Sequence, residues 1–238
     1  MIDVIVIGGG YAGMAAALAA APSGIRIAIL DDNPLPGGQI WRDGPGAKLP
    51  AQAAEMRAKV EQYANVQLHS ACKVVALAGP KKLLLEDAER GWTLSYDQLI
   101  LCTGARELLL PFPGWTLPGV TGAGGLQALI KGGLPVAGER IVIAGSGPLL
   151  LASADTAKKN GAQVVRIAEQ ASLASVGRFA AGLWRWPNKA RQAVELASGA
   201  YRTRAHVLAA LGSERLQAVR IQVGERIEEI PCDRLACG

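Results

Sequence analysis

Residues 1–32 read MIDVIVIGGGYAGMAAALAAAPSGIRIAILDD. Ile2 to Ile7 is a β-branched run, suited to a strand buried on both faces in a parallel sheet. Gly8-Gly9-Gly10-Tyr11-Ala12-Gly13 follows at once and contains G-x-G-x-x-G. Met14 to Ala21 is almost pure helix former, and Pro22-Ser23-Gly24 stops it. Ile25 to Leu30 makes a second strand, which Asp31 closes. The stretch is a complete βαβ unit, and each part has a physical task. Gly8 permits the tight turn, Gly10 lets a pyrophosphate approach the backbone, and Gly13 lets helix and strand pack closely. The helix N-terminus turns free N–H groups and a positive dipole end toward phosphates. Asp31 comes 23 residues after Gly8, where a carboxylate accepts hydrogen bonds from ribose hydroxyls. Strand, elbow, helix, second strand and acid together predict dinucleotide binding. The competing reading is a glycine-rich turn in an unrelated α/β protein.

The pattern recurs 137 residues later. Arg140 to Ala144 is a strand, and Gly145-Ser146-Gly147-Pro148-Leu149-Leu150 is a second elbow. A helix runs to about Asn160-Gly161, and Gln163 to Ala168 is the next strand, ended by Glu169. Pro148 suits an early helical position, because its missing N–H is not needed there. Leu150 replaces the third glycine, so helix and strand must separate or find compensation. Two readings stand: the site holds NAD(H), or it is vestigial. Gly145, Gly147, Leu149 and Glu169 are its candidate ligands. Glu169 favours ribose hydroxyls over a 2′-phosphate, hence NAD over NADP. Arg166 is expected on the exposed side of its strand.

Composition narrows the class. Half of the 238 residues are apolar and 19% are charged, which supports packed cores and excludes global disorder. The net charge is +5 but uneven: residues 1–119 have net −1 and residues 120–238 net +6. A basic second half suits an anion such as a nucleotide phosphate. Its basic residues lack interleaved aromatics, which argues against nucleic acid. Four Cys in a chain of this length make no disulfide framework, and no CxxC or zinc spacing is present. His69 and His206 are the two histidines, too few for a typical catalytic or metal centre. With Asp3 and no basic lead, the N-terminal residues are not expected to be a secretory signal, and the longest apolar runs fall short of a membrane span. The cytoplasm is the expected setting.

Between the two βαβ units the chain has three recognisable parts. Asp31-Asp32-Asn33-Pro34-Leu35-Pro36-Gly37-Gly38-Gln39 is a loop whose glycine pair lets backbone lie close to a flat ligand. Alternating segments near 66–78, 82–86 and 92–96 predict a small antiparallel insert. Tyr96 to Arg106 holds a strand that ends in Thr103-Gly104. Leu110 to Gly119 is rich in Pro and Gly and reads as a crossover. Residues 178–204 hold a loop and a helix near 188–199. There Trp184 and Trp186 bracket Arg185, which reads as a surface patch or a partner-docking face. Strands are expected at 207–211, 216–223 and 234–237. The fold class is α/β, with two Rossmann-like dinucleotide-binding domains, 1–112 and 113–238. Each has a parallel sheet plus a small antiparallel insert.

GGGYAG, LDDNPLPGGQ and YDQLILCTGAR together resemble the pyridine nucleotide-disulfide reductase superfamily. That resemblance implies FAD on the first βαβ unit. Gly8, Gly10, Ala12, Gly13, Asp31, Asp32, Gly38, Gln39, Thr103 and Gly104 would contact it, and Val74 would lie near the adenine. The redox Cys pair of the disulfide reductases is missing from residues 39–48 and 145–175. GGQIWRDG, PGWTLPGVTGAGGLQALIKGG and GSGPLLLASADTAKKNGAQVVRIAEQ are most similar to the alpha subunits of heteromeric amine dehydrogenases. These include the opine oxidase, hydroxyproline or proline dehydrogenase and hydrogen cyanide synthase types. Such subunits are longer and return to close the flavin domain, so this chain is expected to leave an open sheet edge, either as a truncated product or as a shortened relative. The resemblance implies an electron-transferring FAD subunit, with a flavin-containing amine-oxidising partner and a small-molecule electron donor or acceptor. Two other functions stay open: a self-contained NAD(P)H-dependent flavin reductase, and a nucleotide-binding structural subunit without chemistry.

Overall fold

The computed structural model describes residues 2–45, 49–182, 185 and 200–238. It divides into two compact units, Met1–Arg106 and Glu107–Gly238. The division falls ahead of the 112/113 boundary read from the Pro/Gly-rich stretch. Glu107 already belongs to the second unit, because its carboxylate accepts the N–H of Gly124 (2.6 Å) and of Gly125 (3.0 Å).

The first unit runs β1 (Ile2–Ile7), α1 (Tyr11–Ala20), β2 (Ile27–Leu30), α2 (Ala51–Glu61), β3 (Val66–His69), β4 (Lys73–Gly79), β5 (Lys82–Glu86) and β6 (Gly91–Leu101). Its sheet has the order β3-β2-β1-β6-β5-β4. The first four strands are parallel, with Ile7 beside Leu30 and Leu101. β6, β5 and β4 continue as an antiparallel ladder. Val4 and Val6 pack with Met14 and Ala17 of α1, while Ile5 packs with Leu83 and Leu85 of the insert. Burial on both faces is why β1 has no polar alternation.

Two sequence expectations change here. Residues 66–69 do not belong to the antiparallel insert: Val66–His69 pairs parallel with β2 as the outer strand. Period-two alternation cannot separate a parallel edge strand from a hairpin strand. Helix α2 was not expected at all. Its buried side is only Ala53 and Val60, with Met56 partly packed, so the segment has little amphipathic pattern to read.

The second unit runs β7 (Val120–Gly122), α3 (Ala123–Lys131), β8 (Arg140–Gly145), α4 (Leu149–Lys159), β9 (Gln163–Glu169), α5 (Leu173–Gly182), β10 (Tyr201–Thr203), β11 (Ala205–Leu211), β12 (Ala218–Val223), β13 (Arg226–Pro231) and β14 (Arg234–Cys237). The parallel sheet has the order β10-β9-β8-β14-β7, and β11-β12-β13 form the antiparallel insert. α3 and α4 cover one face of the parallel sheet through Leu126, Ile130, Leu150 and Ala154. The insert covers the other through Val219, Ile221 and Leu216. Both units are thus Rossmann-like, as the two glycine motifs predict. β14 is the counterpart of β6 and is flanked by β8 and β7. Beside residues 97–101 of β6, on the side away from β1, no strand pairs among the described residues.

Further corrections follow. The tail holds an additional strand, β13, which pairs with β12 through a tight turn at Gly224. Its RIEEIP sequence carries no alternation to read: Ile230 and the Arg166-paired Glu228 share the covered face, while Ile227 is 62% exposed. β7, α3 and α5 were not expected, and the helix near 188–199, with Trp184 and Trp186, lies outside the described residues. Arg166 is not on an exposed side. Its side chain is 16% exposed and donates to Glu228 at 2.8 Å, tying β9 to β13. Its strand neighbour Val142 faces the same insert layer, so the register puts Arg166 between the sheets.

Cys232 and Cys237 lie in this layer, and burial pushes both thiols up to about 12 from 9.0, with help from Asp233 and Glu107 respectively. The folded state therefore keeps protons that the unfolded chain releases above about pH 9. Stability is full below that pH and falls as pH rises toward about 12. The urea midpoint is expected to drop between pH 8 and about pH 10.5, and Cys232→Ala with Cys237→Ala to flatten that slope. An unchanged slope in the double variant would refute the assignment.

Candidate dinucleotide sites

Gly8 has φ +104°, and a Cβ there would lie 2.2 Å from the Cys102 carbonyl oxygen. A Cβ on Gly13 would lie 1.8 Å from the Gly8 carbonyl oxygen. These two positions let α1 sit directly on the end of β1. Gly8 N–H donates to the Leu30 carbonyl at 2.7 Å, which joins the elbow to β2. Gly10 is the N-cap of α1, and exposed Ala12 lies in its first turn. The first N–H groups of a helix have no intrahelical partner and face the ligand side.

Asp31 is buried, at 4% exposure. Its Oδ2 accepts Gly9 N–H at 2.5 Å, and its Oδ1 accepts the backbone and side-chain N–H of Asn33, each at 2.8 Å. A carboxylate has about four acceptor positions, so about one remains for a ribose hydroxyl. Asp32 is exposed and accepts from Asn33 Nδ2 at 3.0 Å. The glycine loop folds back on the elbow: Gly37 N–H donates to the Gly9 carbonyl at 2.9 Å, and Gly38 abuts Gly10. Exposed Gln39 follows. The Trp41 ring meets Tyr11 edge-on, with centroids 5.0 Å apart. Arg57 of α2 holds this loop by donating to the carbonyls of Pro36 and Trp41 and to Asp43.

Thr103 and Gly104 are exposed just past β6, where the Thr103 nitrogen borders Gly8. Cys72 N–H donates to the Asp31 carbonyl at 2.9 Å, bringing the start of β4 to the acid's end of the sheet. Val74, two residues on, packs its side chain against the cluster of Ile5, Leu30 and Leu85. The structure thus gathers Gly8, Gly10, Gly13, Asp31 and Gly38 by direct contact, and Val74 reaches them only through its neighbour. His69, beside Leu30 in the sheet, has its pKa lowered by burial and by Arg90, so it is neutral at pH 7. Asp31→Ala would leave the Gly9 and Asn33 donors unpaired. It is expected to cost about 1–3 kcal/mol of stability and a similar loss in FAD binding, read by calorimetry and titration. Unchanged values in both would remove Asp31 from the site.

The second elbow repeats this arrangement with differences. Gly238 stands where Cys102 stands in the first. Cys102 N–H donates to the Ile7 carbonyl at 2.7 Å, and Gly238 N–H to the Ala144 carbonyl at 2.9 Å. Glu169 is 2% exposed and takes three protein donors: Gly147 N–H (3.0 Å), Ala171 N–H (2.9 Å) and Tyr201 hydroxyl (3.2 Å). Burial and the Glu169 charge push the Tyr201 phenol up, so it stays a donor. Leu150 neither parts helix from strand nor stands exposed. It is fully buried with Ala123, Leu126 and Ile130. The turn makes room: α4 starts at Leu149, four residues past Gly145, whereas α1 starts three past Gly8. Gly147 takes φ +97° where Gly10 has −71°. Partly exposed Leu149 opens the helix.

Sequence reasoning missed Asn33, Arg57, Glu107 and Tyr201. Asp-Asp-Asn-Pro is a turn signal that could have flagged Asn33. The other three act across long separations and have no local signature.

A profile of the pyridine nucleotide-disulphide oxidoreductase family matches residues 2–230. Hydrogen cyanide synthase subunit HcnB of Pseudomonas protegens is 38% identical over 74% of this chain and 40% of that protein. An opine oxidase subunit of Agrobacterium tumefaciens is 36% identical over 62% of this chain and 33% of that one. The chain thus spans less than half the length of these relatives. A thioredoxin reductase from Lactococcus lactis shares the fold, with TM-score 0.69 and 18% identity over 100% of this chain and 77% of that one.

Proposed function

The chain belongs to the pyridine nucleotide-disulphide oxidoreductase family, and from that premise we propose that it is a FAD-dependent oxidoreductase. Its finer role is the electron-transferring alpha subunit of a heteromeric amino-acid or opine dehydrogenase, working in the cytoplasm. Among the described residues no helix is long and apolar enough to cross a membrane. The observation that supports FAD best is the buried Asp31 carboxylate, tied to Gly9 at the elbow and keeping an acceptor for a ribose hydroxyl. Because a Cβ at Gly8 or Gly13 would strike a backbone carbonyl, the glycines keep α1 close on β1, with its N-terminal N–H groups open to a pyrophosphate.

When bound, FAD supplies the electron-accepting ring. The chain's own residues do the rest. Gly8, Gly10, Ala12 and Gly13 hold the phosphates, and Asp31 and Asp32 orient the ribose. Gly38, Gln39, Thr103 and Gly104 line the remainder, with Val74 beside the adenine. Oxidation of a C–N bond is assigned to a flavin-containing partner subunit, by the likeness to subunits of hydrogen cyanide synthase and opine oxidase. This chain passes the electrons onward to a small-molecule acceptor.

Glu169, held by Gly147 as Asp31 is by Gly9, favours a second reading. In it Gly145, Gly147, Leu149 and Glu169 take NAD(H), and the chain alone is an NAD(P)H-dependent flavin reductase. The chain should be purified alone and after co-expression with a candidate flavin-containing amine-oxidising subunit. Flavin bands near about 370 and 450 nm are expected. Bleaching by the amino-acid substrate only in the complex supports the subunit reading. Bleaching by NADH in the isolated chain supports the reductase, and a colourless protein overturns both.

A further inference from the structure

Asn33 stands between two carboxylates at the first elbow. Its backbone N–H donates to Asp31 Oδ1 at 2.8 Å, and that bond alone closes the turn after β2. The side chain adds two bonds that the turn does not need. Nδ2 donates to the same Asp31 Oδ1 at 2.8 Å and to Asp32 Oδ1 at 3.0 Å, so both amide protons are spent on acids. The Asn33 carbonyl accepts Ala71 N–H at 2.9 Å, which ties the residue to the turn before β4. Neighbouring carboxylates repel, and an exposed Asp32 left to itself would swing into water. Neither acid is ion-paired among the described residues. The amide is therefore what keeps the two side by side.

The vacant acceptor positions define the ligand. A carboxylate oxygen has two lone pairs. Two N–H groups fill Asp31 Oδ1, while Gly9 N–H takes one position on Oδ2 and leaves one. The second elbow shows what fits beside an elbow N–H. There Glu169 Oε2 accepts Gly147 N–H at 3.0 Å and a hydroxyl, that of Tyr201, at 3.2 Å. Among the described residues no protein hydroxyl donates to Asp31, so the corresponding position is open to the hydroxyl of a ligand. We propose that Asn33 is a positioning residue whose amide holds Asp31 and Asp32 as a pair, so that together they take both hydroxyls of one unsubstituted ribose. The buried acid takes one hydroxyl and the exposed acid the other. The proposal rests on the FAD reading of the first elbow and adds its specificity: two negative charges with no cation beside them reject a ribose that carries a phosphate.

The test uses the full chain freed of flavin, with ADP and 2′,3′-dideoxy-ADP, which lacks both ribose hydroxyls, titrated by calorimetry. The parent is expected to bind ADP at least about tenfold more tightly than the dideoxy compound. Asn33→Asp keeps the size of the side chain and the backbone N–H but loses both amide protons. It is expected to bind ADP at least about tenfold more weakly than the parent, and 2′,3′-dideoxy-ADP within about threefold of it. Asp32→Ala, a change at an exposed residue, should lower the preference for ADP by about threefold or more, with circular dichroism unchanged. If Asn33→Asp weakens both ligands alike, or keeps the parent's preference, Asn33 does not position the pair and the proposal fails. A parent that retains flavin on purification yet binds ADP and dideoxy-ADP equally overturns the proposal and leaves FAD binding intact. A parent that retains no flavin and binds neither nucleotide overturns both.

Discussion

Gly13→Leu is expected to abolish FAD retention and to destabilise the first unit by more than about 3 kcal/mol. A Cβ at this position would stand 1.8 Å from the Gly8 carbonyl oxygen, and that neighbour is backbone at the end of β1. It cannot swing aside as a side chain would. Helix α1 must move outward, and Met14 and Ala17 then lose their packing on Val4 and Val6. The N–H groups that face the phosphates move with it. The measurement is the ratio of flavin to protein absorbance after purification, together with the urea midpoint. Gly24→Asn is the control, since Gly24 has φ +77° and nothing within 4 Å of its Cβ position. Asn tolerates that conformation, so the control should keep its flavin. A yellow Gly13→Leu protein with the parent's midpoint would mean that the elbow is not built around a close helix–strand contact.

Leu150→Gly, the reciprocal change, is expected to destabilise the second unit by about 3–5 kcal/mol. Restoring the motif's glycine does not restore the first elbow's geometry. Leu150 is fully buried against Ala123, Leu126 and Ile130, so its removal opens a cavity and also puts glycine into a helix. Unfolding followed separately by flavin and tryptophan fluorescence should show an early transition in the second unit, with the flavin transition of the first unit in place. A variant as stable as the parent, or one with improved NAD(H) affinity, would show that the leucine is a lesion in a nucleotide site. The structure says instead that α3 makes a socket for it.

The difference between the elbows shows where sequence reasoning stops. Position 150 is visibly aberrant in the motif, and separation or compensation were the foreseeable outcomes. Compensation came from three residues of α3, Ala123–Lys131, just past the Leu110–Gly119 crossover, where no helix was expected. The acids were more legible. Asp31 and Glu169 close β-branched strands after glycine elbows, and both are buried at the elbow as that spacing requires. Their donors were less so. Asn33 is local, but Tyr201 reaches Glu169 across 32 residues, through a strand of three residues too short to read.

The chain's own order of residues determined two βαβ units, their glycine elbows, the closing acids and the presence of antiparallel inserts. These depend on interactions within a few residues: strand burial, helix propensity, turn chemistry and the reach of one side chain to a neighbouring elbow. Only the tertiary structure decided that Val66–His69 joins the parallel sheet, that Arg166 lies between two sheets against Glu228, that Glu107 caps α3, and that α5 forms with nothing buried beneath it. The first three are pairings across a gap in the chain, and the fourth is a face with no such pairing among the described residues. Whether a residue is covered depends on which distant surface arrives there, and periodicity records only that a face exists, not what it meets.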